Sequence, residues 1–155
     1  MPDSQTRVSH ALIAEDDDDD FEIFSTAIGE VSIAIVLSRA ENGEVLMKKL
    51  NASEVLPEIL FLDIQMPCVN GRDCLRQIRS DKKFDALPVI MFSSSSDSQD
   101  IEHCFREGSN LYLQKPSSLQ ELILALERIF TIDWRNLYYP PISQFVLQTQ
   151  PHDKK

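Results

Sequence analysis

Four consecutive apolar residues, Ile59-Leu60-Phe61-Leu62, run without a break into a single carboxylate, Asp63. A strand with one wet face alternates apolar and polar residues, whereas an unbroken apolar run fits a parallel strand covered on both faces. Met66-Pro67 stops the run, and Asn70-Gly71 makes a turn before a helical pattern begins. Asp63 is thereby placed at the carboxyl end of a buried central strand, where open α/β sheets bind their ligands. Taken alone, an aspartate after a strand can be a mere turn residue. Its weight depends on what else the fold brings beside it.

His10 to Ala14 is an earlier short apolar run, and it delivers Glu15 and five aspartates, Asp16 to Asp20, to its end. Phe21, Phe24, Ala27, Ile28 and Val31 follow at helical spacing. The later aspartates suit a first helical turn, where the helix dipole favours negative charge. Glu15 and Asp16 come too early for that role and are candidates for a site. Ser32 to Leu37 reads as the second strand, and Asn42-Gly43 opens a helix carrying Val45, Leu46, Lys49 and Leu50. The helix after Gly71 turns Cys74, Leu75 and Ile78 inward and Arg72, Arg76 and Arg79 outward. Val89 to Phe92 is the fourth strand and ends in Ser93-Ser94-Ser95-Ser96; a helix from about Asp97 to Glu107 stops at Gly108. Leu111-Tyr112-Leu113 is a fifth strand ending at Gln114-Lys115-Pro116. Ser118 to Glu121 forms a capping box for the last helix, with Leu119, Leu122, Ile123, Leu126 and Phe130 on one face. Trp134, Leu137 and Tyr138 keep the same spacing, so this helix is expected to continue toward Pro140-Pro141.

Strands alternating with helices predict an α/β fold, a five-stranded parallel sheet with helices on both faces. The intervals between strand ends hold one or two βαβ units of about 30 residues each, which puts Glu15, Asp16, Asp63, Ser93 and Lys115 on one rim. Converging carboxylates repel, by roughly 1 kcal/mol per pair at ~4 Å in water and nearer 4 at an effective dielectric of ~20. Such a site favours a divalent cation, and an all-oxygen donor set suits Mg²⁺, with Mn²⁺ able to substitute. A lysine opposite the acids can neutralise a tetrahedral anion and a serine can hydrogen-bond it. Asp63 is then a candidate nucleophile for phosphoryl transfer.

The 155 residues, 43% hydrophobic and 26% charged, fit one domain with a real core. Residues 1–8 are polar and expected to be disordered, 9–130 form the domain, and 131–155 are a C-terminal extension. A formal charge of −10 opposes unspecific attraction to nucleic acid or anionic membrane. Cys68, Cys74 and Cys104 have no metal-binding spacing and read as reduced thiols. With neither a membrane-length apolar run nor a signal peptide, the chain is expected to be cytoplasmic.

Glu15-Asp16, Asp63 with Met66-Pro67 and Gly71, Ser93, and Lys115-Pro116, in this order, resemble the receiver domain of response regulators in bacterial two-component signalling. The likeness spans roughly residues 9–130 and is to single-domain receivers of the chemotaxis kind. It implies a flavodoxin-like fold with strand order 2-1-3-4-5, and Asp63 as phosphoacceptor. Asp16 would ligate the metal directly, Glu15 mainly through water, and Gln65 through its backbone carbonyl. Ser93, Ser94 and Lys115 would contact the phosphoryl group. Gln65 and Ser95 flank the site, where they would set how fast water attacks the acyl phosphate. Tyr112 would be the aromatic that moves with Ser93 on activation, and the Lys115–Pro116 peptide would be cis. Glu15 departs from the commoner Asp, and Ser93 from the commoner Thr.

The resemblance further implies a signalling phosphoprotein that catalyses only its own phosphorylation and dephosphorylation. Its donor would be a sensor histidine kinase or histidine phosphotransfer protein, and its output contact with a further protein. Residues 131–155 are too few for a DNA-binding output domain. No membrane partner is expected, and the chain would be a monomer or weak homodimer. The alternatives are a receiver-like scaffold that acts without phosphorylation and an aspartate-nucleophile phosphohydrolase. The latter would usually carry a second Asp two residues after the nucleophile, where this chain has Gln65.

Overall fold

The computed structural model describes residues 8–136 and 138–147. Strands β1 (His10–Ala14), β2 (Val36–Ala40), β3 (Ile59–Leu62), β4 (Val89–Ser93) and β5 (Leu111–Gln114) alternate with helices α1 (Asp18–Glu30), α2 (Gly43–Ala52), α3 (Gly71–Arg79), α4 (Ser98–Arg106) and α5 (Leu119–Phe130). All strand pairs are parallel, in the order β2-β1-β3-β4-β5. Successive side chains of a strand point to opposite faces, and the unbroken apolar runs therefore feed two cores. Ile59 and Phe61 join Ile13, Phe92 and Leu113 beneath α1 and α5, while Leu60 and Leu62 join Leu12, Met91 and Tyr112 beneath α2, α3 and α4. In the first core Phe61 meets Phe24 of α1 at 4.9 Å and Phe130 of α5 at 6.2 Å, both edge to face. No described helix is long and apolar enough to cross a membrane.

Helix starts follow the sequence closely. Asp17, Asn42, Asn70, Asp97 and Ser118 each cap a helix by accepting a backbone N–H from its first turn. Gly108, with φ of +98°, follows α4 in the left-handed region that glycine tolerates. Cys74 and Cys104 are buried and Cys68 is exposed, all three as free thiols. Burial pushes the two inner thiols up, Cys74 to about 11 and Cys104 to about 12.

Four expectations are corrected. The second strand lies at Val36–Ala40 and not Ser32–Leu37, because its register is set by pairing His10 with Val36 through Ala14 with Ala40; Ile33 and Ile35 instead pack, half-buried, against the α1–α5 core. Val8, placed in the disordered N-terminal stretch, is buried in that core. Arg79 does not face solvent. Its guanidinium donates to the carbonyls of Gly108, Phe84 and Leu87 and to Asn110 Oδ1 at 2.8–3.0 Å, tying α3 to the loops before β4 and β5.

The last helix stops at Phe130, where Thr131 Oγ1 donates to the Arg128 carbonyl and the N–H of Ile132 bonds to Ile129. Trp134 folds back, 6% exposed, with its indole N–H on the Ile129 carbonyl, so it packs on its own domain. Leu137 lies outside the described residues. After Pro140 and Pro141, a single turn at Ile142–Gln144 leads to a bridge between Val146 and Tyr112 on the outer edge of β5.

Replacing Arg79 with Met strips several buried carbonyls of their donor while keeping most of the side-chain volume. It is expected to cost about 3 kcal/mol or more of stability, read as a lowered urea midpoint at unchanged slope.

Candidate functional site

The topology reverses at β1, whose neighbours β2 and β3 lead away in opposite directions, and the crevice at the carboxyl ends of β1 and β3 holds the acids. The Asp63 N–H bonds to the Ala14 carbonyl at 3.1 Å, which extends the β1–β3 ladder and fixes where the side chain emerges. Asp63 is 5% exposed; its Oδ1 accepts the Gln65 N–H at 3.1 Å and its Oδ2 lies 3.1 Å from Lys115 Nζ. Behind it the chain turns tightly, with the Gly71 N–H on the Ile64 carbonyl at 2.8 Å. A Cβ at Gly71 would stand 2.0 Å from the Asp63 carbonyl oxygen, so only glycine lets α3 begin there.

Glu15 is fully buried. Its N–H is held by the Ala40 carbonyl, its carbonyl by Arg39, and its Oε2 accepts the Asp17 N–H at 3.1 Å. Oε1 lies 2.9 Å from Lys115 Nζ. Asp16 is exposed at the mouth of the crevice, and single carboxylate oxygens of Glu15, Asp16 and Asp63 all lie within 4.8 Å of one another. The donors are all oxygen and the crevice opens to solvent at Asp16, so the residues fit a hard divalent cation.

Lys115 reaches across from β5. Its N–H is anchored on the Ser93 carbonyl at 2.8 Å, and its ammonium also meets Asp20 Oδ2 at 2.7 Å. Burial pulls the Lys115 pKa down, but the contacts with Asp20, Glu15 and Asp63 outweigh it and hold the ammonium above its usual range. Burial pushes Glu15 up to about 7, with Asp63 adding to the rise and Lys115 opposing it.

Ser93 is fully buried at the end of β4, and its Oγ accepts the Ser95 N–H at 3.1 Å. Ser94 is exposed. Ser95 Oγ donates to Asp100 at 2.7 Å, and its carbonyl accepts the Tyr112 hydroxyl at 2.8 Å. Tyr112 is fully buried, and burial raises its phenol, with the Ser93 and Ser95 hydroxyls pulling back.

The expected residues Glu15, Asp16, Asp63, Ser93 and Lys115 share this rim. The cis peptide is not found: no described peptide bond is cis, and Lys115–Pro116 is trans. X–Pro bonds prefer trans by about 0.5–1 kcal/mol, and Lys115 reaches its partners without the exception. Asp20 is the residue that sequence reasoning passed over. One turn into α1, its Cα–Cβ bond tilts back toward the helix N-terminus and so toward the rim. Its spacing of four from Asp16 was the available signal.

The family model of the response regulator receiver domain matches residues 11–127. Chemotaxis protein CheY1 of Helicobacter pylori is 29% identical over 116 residues, covering 75% of this chain and 92% of that protein. A response regulator in red light signaling of R. palustris superposes with a TM-score of 0.73 at 28% identity, over 79% of this chain and 91% of that one. The phosphorylated cyanobacterial phytochrome response regulator RcpA shares the fold at TM-score 0.75 and 23% identity, covering 86% of this chain and 99% of that chain. The match covers only part of other curated relatives: 48% of a probable methanogenesis regulatory protein of Methanothrix harundinacea (and 48% of this chain), 23% of the transcriptional regulator NtrC of Proteus hauseri and 55% of the sensory transduction protein LytT of Oceanobacillus iheyensis.

Glu15 binds more protons folded than unfolded between its ordinary 4.5 and about 7. Its contribution to stability is therefore fully present below about pH 4.5 and falls as pH rises toward 7. In buffer with a chelator, Glu15→Gln is expected to gain stability over the parent from pH 5 to pH 7.5, measured as the difference in urea midpoints. A constant difference would refute the burial of this charge.

A doubly wound sheet of order 2-1-3-4-5, an acid cluster at its switch point, a lysine across the crevice and a family match over three quarters of the length lead to one identification: the chain belongs to the response regulator receiver domain family.

Proposed function

We propose that this chain is the phosphoacceptor of a two-component phosphorelay, that Asp63 takes a phosphoryl group from a phosphohistidine in the presence of Mg²⁺, and that the aspartyl phosphate switches a protein-binding surface. The observation that carries this reading is the meeting of Asp63 with Lys115 at 3.1 Å inside a crevice lined by Glu15 and Asp16. A phosphohistidine of a sensor kinase or phosphotransfer protein supplies the group.

A carboxylate oxygen of Asp63 attacks phosphorus in line, the P–N bond breaks, and the imidazole leaves with its electron pair. Glu15, Asp16, Asp63 and the Gln65 carbonyl would hold Mg²⁺, which when bound offsets negative charge on the transferring phosphoryl oxygens. Lys115, now shared among three carboxylates, swings its ammonium to a phosphoryl oxygen. Ser93 turns its hydroxyl from the Ser95 N–H to donate to another, and the exposed Ser94 stands at the entrance. The loop from Ser93 to Ser95 then draws inward, and Tyr112, already bonded to the Ser95 carbonyl, is fixed there. Gln65 and Ser95 beside the acyl phosphate would govern its hydrolysis. The chain turns over no separate substrate; its output is contact with another protein.

The test is label transfer from a phosphohistidine donor. Incorporation is expected to require Mg²⁺ and to disappear with Asp63→Asn, and Lys115→Ala is expected to slow it at least tenfold. Undiminished labelling of the Asp63→Asn variant would overturn the assignment.

A further inference from the structure

The outer edge of β5 is not bare. The Tyr112 N–H donates to the Phe145 carbonyl at 3.0 Å, and the Leu147 N–H donates to the Tyr112 carbonyl at 2.9 Å, which is one turn of a parallel ladder. Those bonds bracket Val146, and beside it the Phe145 side chain is fully buried, edge to face with Phe105 of α4 at 5.3 Å and tilted against Tyr112 at 6.2 Å. The segment is tied upstream as well, because Asn110 Nδ2 donates to the Tyr138 carbonyl at 2.8 Å. Pro140-Pro141 and the turn at Ile142–Gln144, with the Gln144 N–H on the Pro141 carbonyl at 2.8 Å, set the approach.

We propose that this edge, with the aromatic socket between β5 and α4, is an interaction surface for an extended segment carrying an aromatic side chain, that residues 142–147 of this chain are its resident ligand, and that its occupancy is coupled to the state of Asp63 through Tyr112. The coupling rests on the reading of Asp63 as phosphoacceptor.

A continuous line of contacts joins the two places. Ser93 Oγ holds the Ser95 N–H, the Ser95 carbonyl holds the Tyr112 hydroxyl, and the Tyr112 ring forms a wall of the Phe145 socket. The Tyr112 side chain is held at its hydroxyl by the Ser95 carbonyl and at its ring by Phe145, so whatever fixes one end favours the seating of the other. Because seating Phe145 and fixing the Tyr112 hydroxyl favour one arrangement, each strengthens the other by the same factor. The mode is strand addition, with backbone bonds supplying attachment and one side-chain pocket supplying selectivity. So short a ladder opens far more readily than the central strands, so a competing extended segment could displace it.

The experiment follows amide hydrogen exchange of the full chain by NMR, with and without beryllofluoride and Mg²⁺, while fluoride at Asp63 is detected directly. Loading is expected to slow exchange of the Tyr112 and Leu147 amides together by at least tenfold. Phe145→Ala is expected to speed both at least tenfold and to weaken beryllofluoride binding several-fold. Leu147→Pro, which removes a ladder donor and leaves Phe145 in place, should act in the same direction and serves if the alanine variant does not fold. Unchanged exchange at both amides in chains that carry fluoride at Asp63 would overturn the coupling alone. Absence of fluoride at Asp63 in the parent would instead overturn the phosphoacceptor reading and the coupling with it. The edge as a docking surface is decided separately, by whether Phe145→Ala or Leu147→Pro strips protection from the Tyr112 amide.

Discussion

One ammonium group stands against all the acids of the rim. Lys115 Nζ lies within 3.1 Å of oxygens from Glu15, Asp20 and Asp63, and Asp16 adds a further carboxylate nearby. Removing these acids from water is costly, and one cation cannot compensate all of them; the rise of Glu15 to about 7 is the visible residue of that deficit. The crevice is thus poised for additional positive charge and for an anion that would draw Lys115 away from its present partners. The rest of the fold can be understood as the apparatus that keeps these groups apart in sequence and together in space.

That apparatus is mostly backbone. Ladder hydrogen bonds fix Glu15 to Ala40, Asp63 to Ala14 and Lys115 to Ser93, so each site residue leaves its strand one step beyond a paired position. Gly71 lets α3 start against the Asp63 carbonyl, and the capping side chains Asp17 and Asn70 fix where α1 and α3 begin beside the acids. Two separate cores then clamp the sheet, and the site residues themselves need supply no packing energy.

Elements governed by local pattern were legible in the sequence. The doubly buried runs at β1, β3 and β4, the caps at Asn42, Asn70 and Ser118, and the alignment of Glu15, Asp16, Asp63, Ser93 and Lys115 on one rim follow from periodicity and strand spacing. The strand order needed the family likeness. What escaped notice depends on long-range partners. Ser32 to Ile35 looked like a strand by composition, but β1 offered its pairing register only to Val36–Ala40. Arg79 sits at a position that a helical wheel assigns to solvent, yet carbonyls from two distant loops surround it. Asp20 looked like dipole ornament until α1 was laid against the rim. The spacing of Trp134 and Tyr138 mimicked a longer helix, whereas the indole bonds back onto the Ile129 carbonyl.

The covering of β5 leaves the sheet asymmetric. Among the described residues only β2 presents an uncovered border, with Val36 67% exposed on it. A sheet with two free borders can polymerise into a ribbon, adding copies at either side. With one side stoppered by its own tail, any strand-to-strand association through the described borders would stop at a two-fold pair.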